Sequence, residues 1–301
     1  MLGPELRGRA EAHEDHDLPN ADPRVAVPDS ERQYHIDCAP GDLAEYILIP
    51  GDPERIDLIA ARFDEIELTR RHREFVTVTG SYRGLRVSAV STGIGTDNVE
   101  IVLAEILAIT RRPAFIRVGS CGVLRDDIEL GELVVTTGAV RLESTTAYYV
   151  HEGYPAVADY SVVAALLEAG ARRDKRVHAG ITATSPGFYG PQGRQIPQLP
   201  IRYPGLADEM RRQGVVNFEM EGSAVLVLAG LGGCRAGVVC TAFAQRVTGR
   251  FLEGDARKQA ESDCVDVGLE ALVVLSEMDR QVREAGAARW RPGLWSAGSG
   301  A

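Results

Sequence analysis

The chain has 301 residues, of which 45% are hydrophobic and 25% charged, and a net charge of −10. That balance belongs to a globular protein, and its acidity excludes DNA or RNA as the main partner, because polyanion binding rests on clustered Lys and Arg. No stretch approaches the roughly 18 uninterrupted apolar residues of a membrane span, and the N-terminus has no secretory apolar core.

Five cysteines (Cys38, Cys121, Cys234, Cys240 and Cys264) are an odd number without CxxC spacing, so reduced thiols and a cytoplasmic location are expected. Residues 1–32 mix Glu, Asp, His, Pro and Arg without apolar periodicity and are expected to be a disordered extension. Residues 33–287 read as a single domain. Residues 288–301, which hold Trp290 and Trp295, read as a flexible, loosely docked tail.

Within the domain, Tyr46–Pro50 predicts a buried strand that stops at Gly51-Asp52-Pro53, followed by a helix carrying Ile56, Ile59 and Phe63. Leu85–Ser91 alternates as a strand into Thr92-Gly93-Ile94-Gly95. The next helix aligns Val99, Val102, Leu103, Ile106 and Leu107. Phe115–Val118 predicts a third strand, cut off by the turn Gly119-Ser120-Cys121-Gly122. Leu133–Val140 and Ala236–Ala242 predict further strands; Val162–Ala169, Met220–Leu228 and Ala256–Val282 predict helices. Alternating strands and helices indicate a layered α/β protein, whose ligands bind at the C-terminal ends of strands.

The chain has no GxxxxGK[ST], HExxH, GxSxG or complete GxGxxG. A strand running into Gly119-Ser120-Cys121-Gly122 offers N–H groups and a hydroxyl for a small anion, with Arg117 on the face of Gly119. Gly51-Asp52-Pro53-Glu54-Arg55 offers a similar set. Either turn alone reads equally as structure; two, each with an arginine, point to an oxyanion site. Phe188-Tyr189-Gly190-Pro191-Gln192-Gly193-Arg194 sets an aromatic pair beside an amide and a guanidinium, which could read the polar edge of a planar heterocycle. A loop with one buried aromatic explains those residues as well. His72-Arg73-Glu74-Phe75 reads as a loop before a strand. Asn217-Phe218-Glu219-Met220-Glu221-Gly222-Ser223 reads as the acidic start of an apolar helix, its carboxylates on different faces and so not an acid/base dyad. Gln245-Arg246 closes a hydrophobic strand with polar groups.

In this order the motifs resemble the nucleoside phosphorylase-I family, in its uridine phosphorylase pattern. They are Tyr34-His35, PGDPER (50–55), HREF (72–75), STGIG (91–95), RVGSCG (117–122), GELVVTTGAVRLE (131–143), YPAVAD (154–159), FYGPQGR (188–194), NFEMEGSA (217–224) and Gln245-Arg246. The resemblance implies a three-layer α/β/α sandwich around a mixed, partly barrel-like central sheet, the phosphorylase/hydrolase-like fold. It also implies a hexamer, built as a trimer of dimers that share active sites. Phosphate-binding roles carry over to Gly51, Arg55, Arg117 and Ser120, with Arg73 supplied by the partner subunit. Ribose-binding roles carry over to Glu219, Met220 and Glu221, with His35 from the partner. Base-binding roles carry over to Phe188, Gln192, Arg194 and Arg246, and the catalytic group to Arg246, Glu221 and Arg117.

The implied reaction is reversible phosphorolysis of uridine, with deoxyuridine or thymidine as further substrates, giving uracil and ribose 1-phosphate through an oxocarbenium-like transition state. Phosphate is then co-substrate and no cofactor is implied. A structural potassium near Glu74 and Ile94 stays open, since Asn98 stands where some relatives place a serine. Ser120-Cys121 replaces two threonines and is similar to the purine branch, and residues 195–210 diverge from the usual base-pocket insertion. The alternatives are a hexameric-type purine nucleoside phosphorylase, disfavoured because no acid stands near Gln245, and a nucleosidase, disfavoured because Arg55, Arg73 and Arg117 all remain.

Overall fold

Eleven strands form one mixed sheet in the computed structural model, which describes residues 32–295. In chain order the elements are β1 (Tyr46–Leu48), α1 (Arg55–Ala60), β2 (Glu65–His72), β3 (Phe75–Tyr82), β4 (Leu85–Val90), α2 (Thr96–Ile109), β5 (Ala114–Val123), β6 (Leu133–Arg141) and β7 (Ala156–Val157). They continue with α3 (Tyr160–Arg172), β8 (Val177–Thr184), α4 (Leu206–Arg212), β9 (Val215–Glu219), α5 (Gly222–Leu231), β10 (Arg235–Gln245), β11 (Arg250–Phe251), α6 (Gly254–Glu284) and α7 (Pro292–Trp295). Residues 1–31 of the expected extension lie outside the described residues.

The sheet runs β11-β10-β6-β8-β9-β5-β1-β4-β3-β2, and an additional β10–β5 pairing closes β10, β6, β8, β9 and β5 into a five-stranded barrel. The partly barrel-like sheet expected from the resemblance is therefore present. Two apolar layers cover it. Val99, Val102, Leu103 and Ile106 of α2 follow one helical stripe and pack with α5 on one face. Residues of α1, α3 and α6 pack on the other. Asp159 starts α3 by accepting the Ser161 and Val162 N–H groups, satisfying donors the helix cannot.

Strand β5 organises the site. Its first half pairs in parallel with β1, through Tyr46↔Ala114, Ile47↔Phe115 and Leu48↔Ile116. Its last residues pair instead with β9, through Gly122↔Phe218 and Val123↔Asn217, while β10 flanks it along nearly its whole length. Between Ile116 and Gly122 this edge of β5 is left without a strand neighbour, and a cavity opens there.

Two expectations are corrected. Gly119-Ser120-Cys121-Gly122 is no turn but the interior of β5. A Cβ on Gly119 would lie 3.0 Å from both Arg117 Nη2 and Cys240 Sγ, and one on Gly122 would lie 3.3 Å from Arg246, so close approach and not bending selects glycine. Asn217, Phe218 and Glu219 end β9, and the helix begins only at Gly222. The loop expected at His72-Arg73-Glu74-Phe75 is present, exposed at 72–74, as the tight link of the β2–β3 hairpin, with Arg73 in the left-handed region at φ 54°. At the other end, residues 288–295 of the expected tail dock. Trp290 Nε1 donates to Gln281 Oε1 (3.1 Å), Tyr160 donates to Trp290 O (2.6 Å), and Arg172 lies 5.3 Å from the Trp295 ring. Among the described residues no helix is long and apolar enough to cross a membrane.

Candidate active site

A cavity of about 540 Å³ lies where β5 changes neighbours. Its lining has two chemically distinct ends. One holds Gly51, Arg55, Arg117, Ser120, Glu219, Met220 and Glu221; the other holds Phe188, Gln192, Arg194, Phe243, Phe251, Leu252 and Arg257.

At the first end, Arg117 projects from β5 beneath the Gly51 turn that ends β1. Its Nε donates to Glu219 Oε2 (3.2 Å) and its Nη2 to Glu221 Oε2. The two carboxylates placed by sequence on opposite helix faces therefore converge on one guanidinium. Glu219 also accepts the Thr184 hydroxyl (2.6 Å) and the N–H groups of Glu221 (2.9 Å) and Gly222 (2.7 Å), which caps α5. Glu221 Oε1 accepts the Gly95 N–H (2.7 Å), tying α2 to the site. All three charged groups are buried. Burial disfavours the Arg117 charge, but Glu221 and Glu219 outweigh it and hold its pKa above the ordinary value. Burial pushes the Glu221 carboxyl up, Arg117 opposes and Glu219 adds to the rise.

Arg117 Nη1 is buried and has no hydrogen-bond partner. It faces Gly51, whose hypothetical Cβ would sit 3.4 Å from it. An orphaned cationic donor against a glycine, with the Ser120 hydroxyl on the same lining, is a fit for an oxyanion, since a buried donor left unmade is costly. Arg55, the first residue of α1, lines the same end; its Nη1 donates to Val118 O (3.0 Å) and its Nε to Glu261 Oε1 (2.9 Å). Cys121 offers no nucleophile: hydrogen bonding with Cys240 and burial push its thiol well up.

At the second end, Phe188 and Tyr189 meet edge to face (5.2 Å between centroids) and Arg194 lies 4.1 Å from the Phe188 ring. Arg194 Nε is buried without a partner, and burial lowers the Arg194 pKa. Arg246, at the end of β10, stands behind this lining. Its Nη1 donates to Gln192 Oε1 (3.1 Å), its Nη2 to Gln192 O (2.8 Å), and its guanidinium lies 5.7 Å from the Phe218 ring. Burial, reinforced by the Arg194 charge, brings its pKa down to about 10. Among the described residues the lining carboxylates are Asp52, Glu219 and Glu221, beside Gly51 or around Arg117 and not among these base-end residues. Gln245, the other half of the polar pair, is structural: it donates to Arg125 O (2.6 Å) and accepts the Val247 N–H (2.7 Å).

Besides Arg246, two more expected residues stand outside the lining. His35 and Arg73 form a separate cluster in which Arg73 Nη2 donates to Tyr34 Oη (3.0 Å) and His72 Nδ1 meets His35 O (2.9 Å). Buried Glu105 of α2 holds His35 through its N–H and its Nδ1 (2.6 Å). Glu74, Ile94 and Asn98 do come together around Gly93, where Asn98 Nδ2 donates to Ile94 O (3.3 Å). That amide turns a donor toward the oxygen a potassium ion would need, and among the described residues no cluster of three metal-ligating side chains exists. Sequence reasoning missed Glu261, Phe243, Phe251 and Arg257, the last with its guanidinium 5.0 Å from the Phe243 ring.

Comparison with known proteins adds a chemical frame. The pattern of the Phosphorylase superfamily matches residues 45–272. The chain is 44% identical to a uridine phosphorylase of Thermococcus kodakarensis over 87% of its own length and 93% of that protein. It is 33% identical to a uridine phosphorylase of Escherichia coli (79% and 96%) and 34% identical to a guanosine phosphorylase of Halorubrum lacusprofundi (77% and 89%). Among solved structures, a Trypanosoma brucei nucleoside phosphorylase, whose crystal structure shows uridine phosphorylase activity, superposes with a TM-score of 0.76 at 27% identity, covering 83% of this chain and 99% of that one.

Proposed function

Given that the chain belongs to the phosphorylase superfamily, we propose that it is a pentosyltransferase that cleaves uridine with inorganic phosphate, giving uracil and ribose 1-phosphate. The observation that carries this reading is the two-ended cavity: an orphaned guanidinium donor beneath Gly51 at one end, and aromatic side chains with an amide and guanidinium groups at the other.

Phosphate sits against Gly51, Arg55, Arg117 and Ser120. Glu221, with Glu219 and Met220 adjacent, takes the ribose hydroxyls, which replace Arg117 as partners of that carboxylate. Phe188 stacks on the base, and Gln192 and Arg194 read its polar edge. The glycosidic bond breaks with its electron pair going to the pyrimidine, while a phosphate oxygen forms the new bond to C1′. The ring carries negative charge until it takes up a proton. Arg246 and Arg194 supply the opposing charge in a buried site, where preorganised charge acts most strongly. A base end without a carboxylate favours a pyrimidine, because a purine leaving group gains from an acid that protonates it.

His35 and Arg73 complete the site from a second subunit. The support is that both stand together outside this subunit's lining, His35 on the segment before β1 that Glu105 anchors and Arg73 on the β2–β3 hairpin link beside it. That sharing needs at least a dimer, and a hexamer built as a trimer of such dimers is the assembly we propose. Incubating the purified protein with uridine, with and without phosphate, tests the reading. Uracil release only with phosphate supports it; release without phosphate indicates a nucleosidase, and preferential turnover of inosine or guanosine indicates a purine enzyme.

A further inference from the structure

Arg55 is 6% exposed, and both sides of its guanidinium are already engaged. One carboxylate oxygen, Glu261 Oε1 of α6, accepts from Nε (2.9 Å) and from Nη2, and Val118 O accepts from Nη1 (3.0 Å). Val118 lies on the edge of β5 just past the last residue that β1 covers; there Ile116 O still accepts the Ile49 N–H (2.9 Å), and two residues on Arg55 takes over. A guanidinium has five N–H bonds in one plane, and three are taken. The remaining two, one on each terminal nitrogen, are the ones left for the cavity that Arg55 lines with Gly51. Glu261, 206 residues away in sequence, thereby sets the plane in which Arg55 meets an oxyanion.

We infer that Glu261 is a positioning residue for phosphate: it orients Arg55 through the paired contacts to Nε and Nη2 and does not itself touch the substrates. The inference rests on the phosphorolysis reading above. α6 supplies an internal control, since Asp266 makes a similar contact to an arginine at the end of α1, accepting from Arg62 Nε (2.9 Å), away from the cavity. If Glu261 served only to fasten α6 to α1, the two carboxylates would behave alike.

Steady-state kinetics with phosphate and uridine varied in turn decide the matter on the intact enzyme, with thermal unfolding followed for each variant. Glu261→Ala is expected to raise the phosphate KM by about 10- to 100-fold, the scale of a misplaced binding group, while the uridine KM moves less than about threefold. Glu261→Gln keeps an oxygen that accepts both N–H groups and is expected to recover most of that loss; it also serves if the alanine variant does not fold. Asp266→Ala should lower the unfolding temperature without raising the phosphate KM. A phosphate KM unchanged in Glu261→Ala, a Gln variant as impaired as Ala, or parallel losses in Glu261→Ala and Asp266→Ala each overturn the inference, with uridine phosphorolysis by the unmodified enzyme still standing. Should the unmodified enzyme release uracil without phosphate, the reading and this inference fall together.

Discussion

The two ends of the cavity balance charge in opposite ways. At the sugar–phosphate end every arginine meets a carboxylate inside the fold: Arg117 meets Glu219 and Glu221, and Arg55 meets Glu261. At the base end, among the described residues, Arg194 and Arg246 meet none: burial lowers Arg194, and burial together with the Arg194 charge brings Arg246 down to about 10. Cations held by carboxylates exchange partners when a dianion and a sugar arrive, so they serve binding. Cations held without counter-charge gain most when negative charge develops on the base, which happens only at the transition state. The comparison assigns affinity to one end and rate to the other.

The largest test strikes the sugar–phosphate end. Arg117→Ala would leave Glu219 and Glu221 buried beside each other without their shared cation, a loss of about 3–5 kcal/mol for a broken buried pair. Urea unfolding monitored by fluorescence measures it, and a change below about 1 kcal/mol would mean that the carboxylates do not depend on Arg117. Next, Arg246→Ala should lower kcat by about 10²–10³ with a much smaller change in uridine KM. A rise in KM at unchanged kcat would erase the distinction drawn between the two ends. Ser120→Ala removes one hydrogen bond from a neutral donor to the phosphate anion and should cost about 1.5–3 kcal/mol, seen as a rise of roughly 10- to 150-fold in phosphate KM alone. Smallest is the pH effect. Arg246 carries its charge below its pKa and loses it as pH rises through about 10, so kcat should fall on that limb. The inflection should move in Arg246→Lys; an alkaline limb identical in both enzymes would assign it to another group.

Much of this was legible in the chain. The strand at Tyr46, its Gly51 turn and the stripes of α2 and α3 have a clear period and were placed within a few residues. What misled was local ambiguity. Glycines in Gly119-Ser120-Cys121-Gly122 read as a bend, yet they make room for Arg117, Cys240 and Arg246, neighbours that come from packing and not from adjacent sequence. Five residues of β9 are too few to separate a strand from a helix start, and Glu219 mimics an acidic first turn because its carboxylate does in fact cap α5. Glu261 gave no sign at all: one acid within the charged α6 acquires its meaning only when the fold carries it to Arg55. Phe243 and Phe251 flank Arg246 closely in sequence, so aromatics beside a strand-terminal arginine were the one available clue to that wall.

The change of neighbours along β5 also separates what is hard to alter from what is easy. Arg117 and Ser120 stand on a strand hydrogen-bonded to β10 throughout, whereas Phe188, Gln192 and Arg194 hang on one excursion between Thr184 and Leu206. Replacing that excursion alone is expected to retarget the enzyme to a different heterocycle while its affinity for inorganic phosphate stays put, which makes the molecule a socket with an exchangeable fitting.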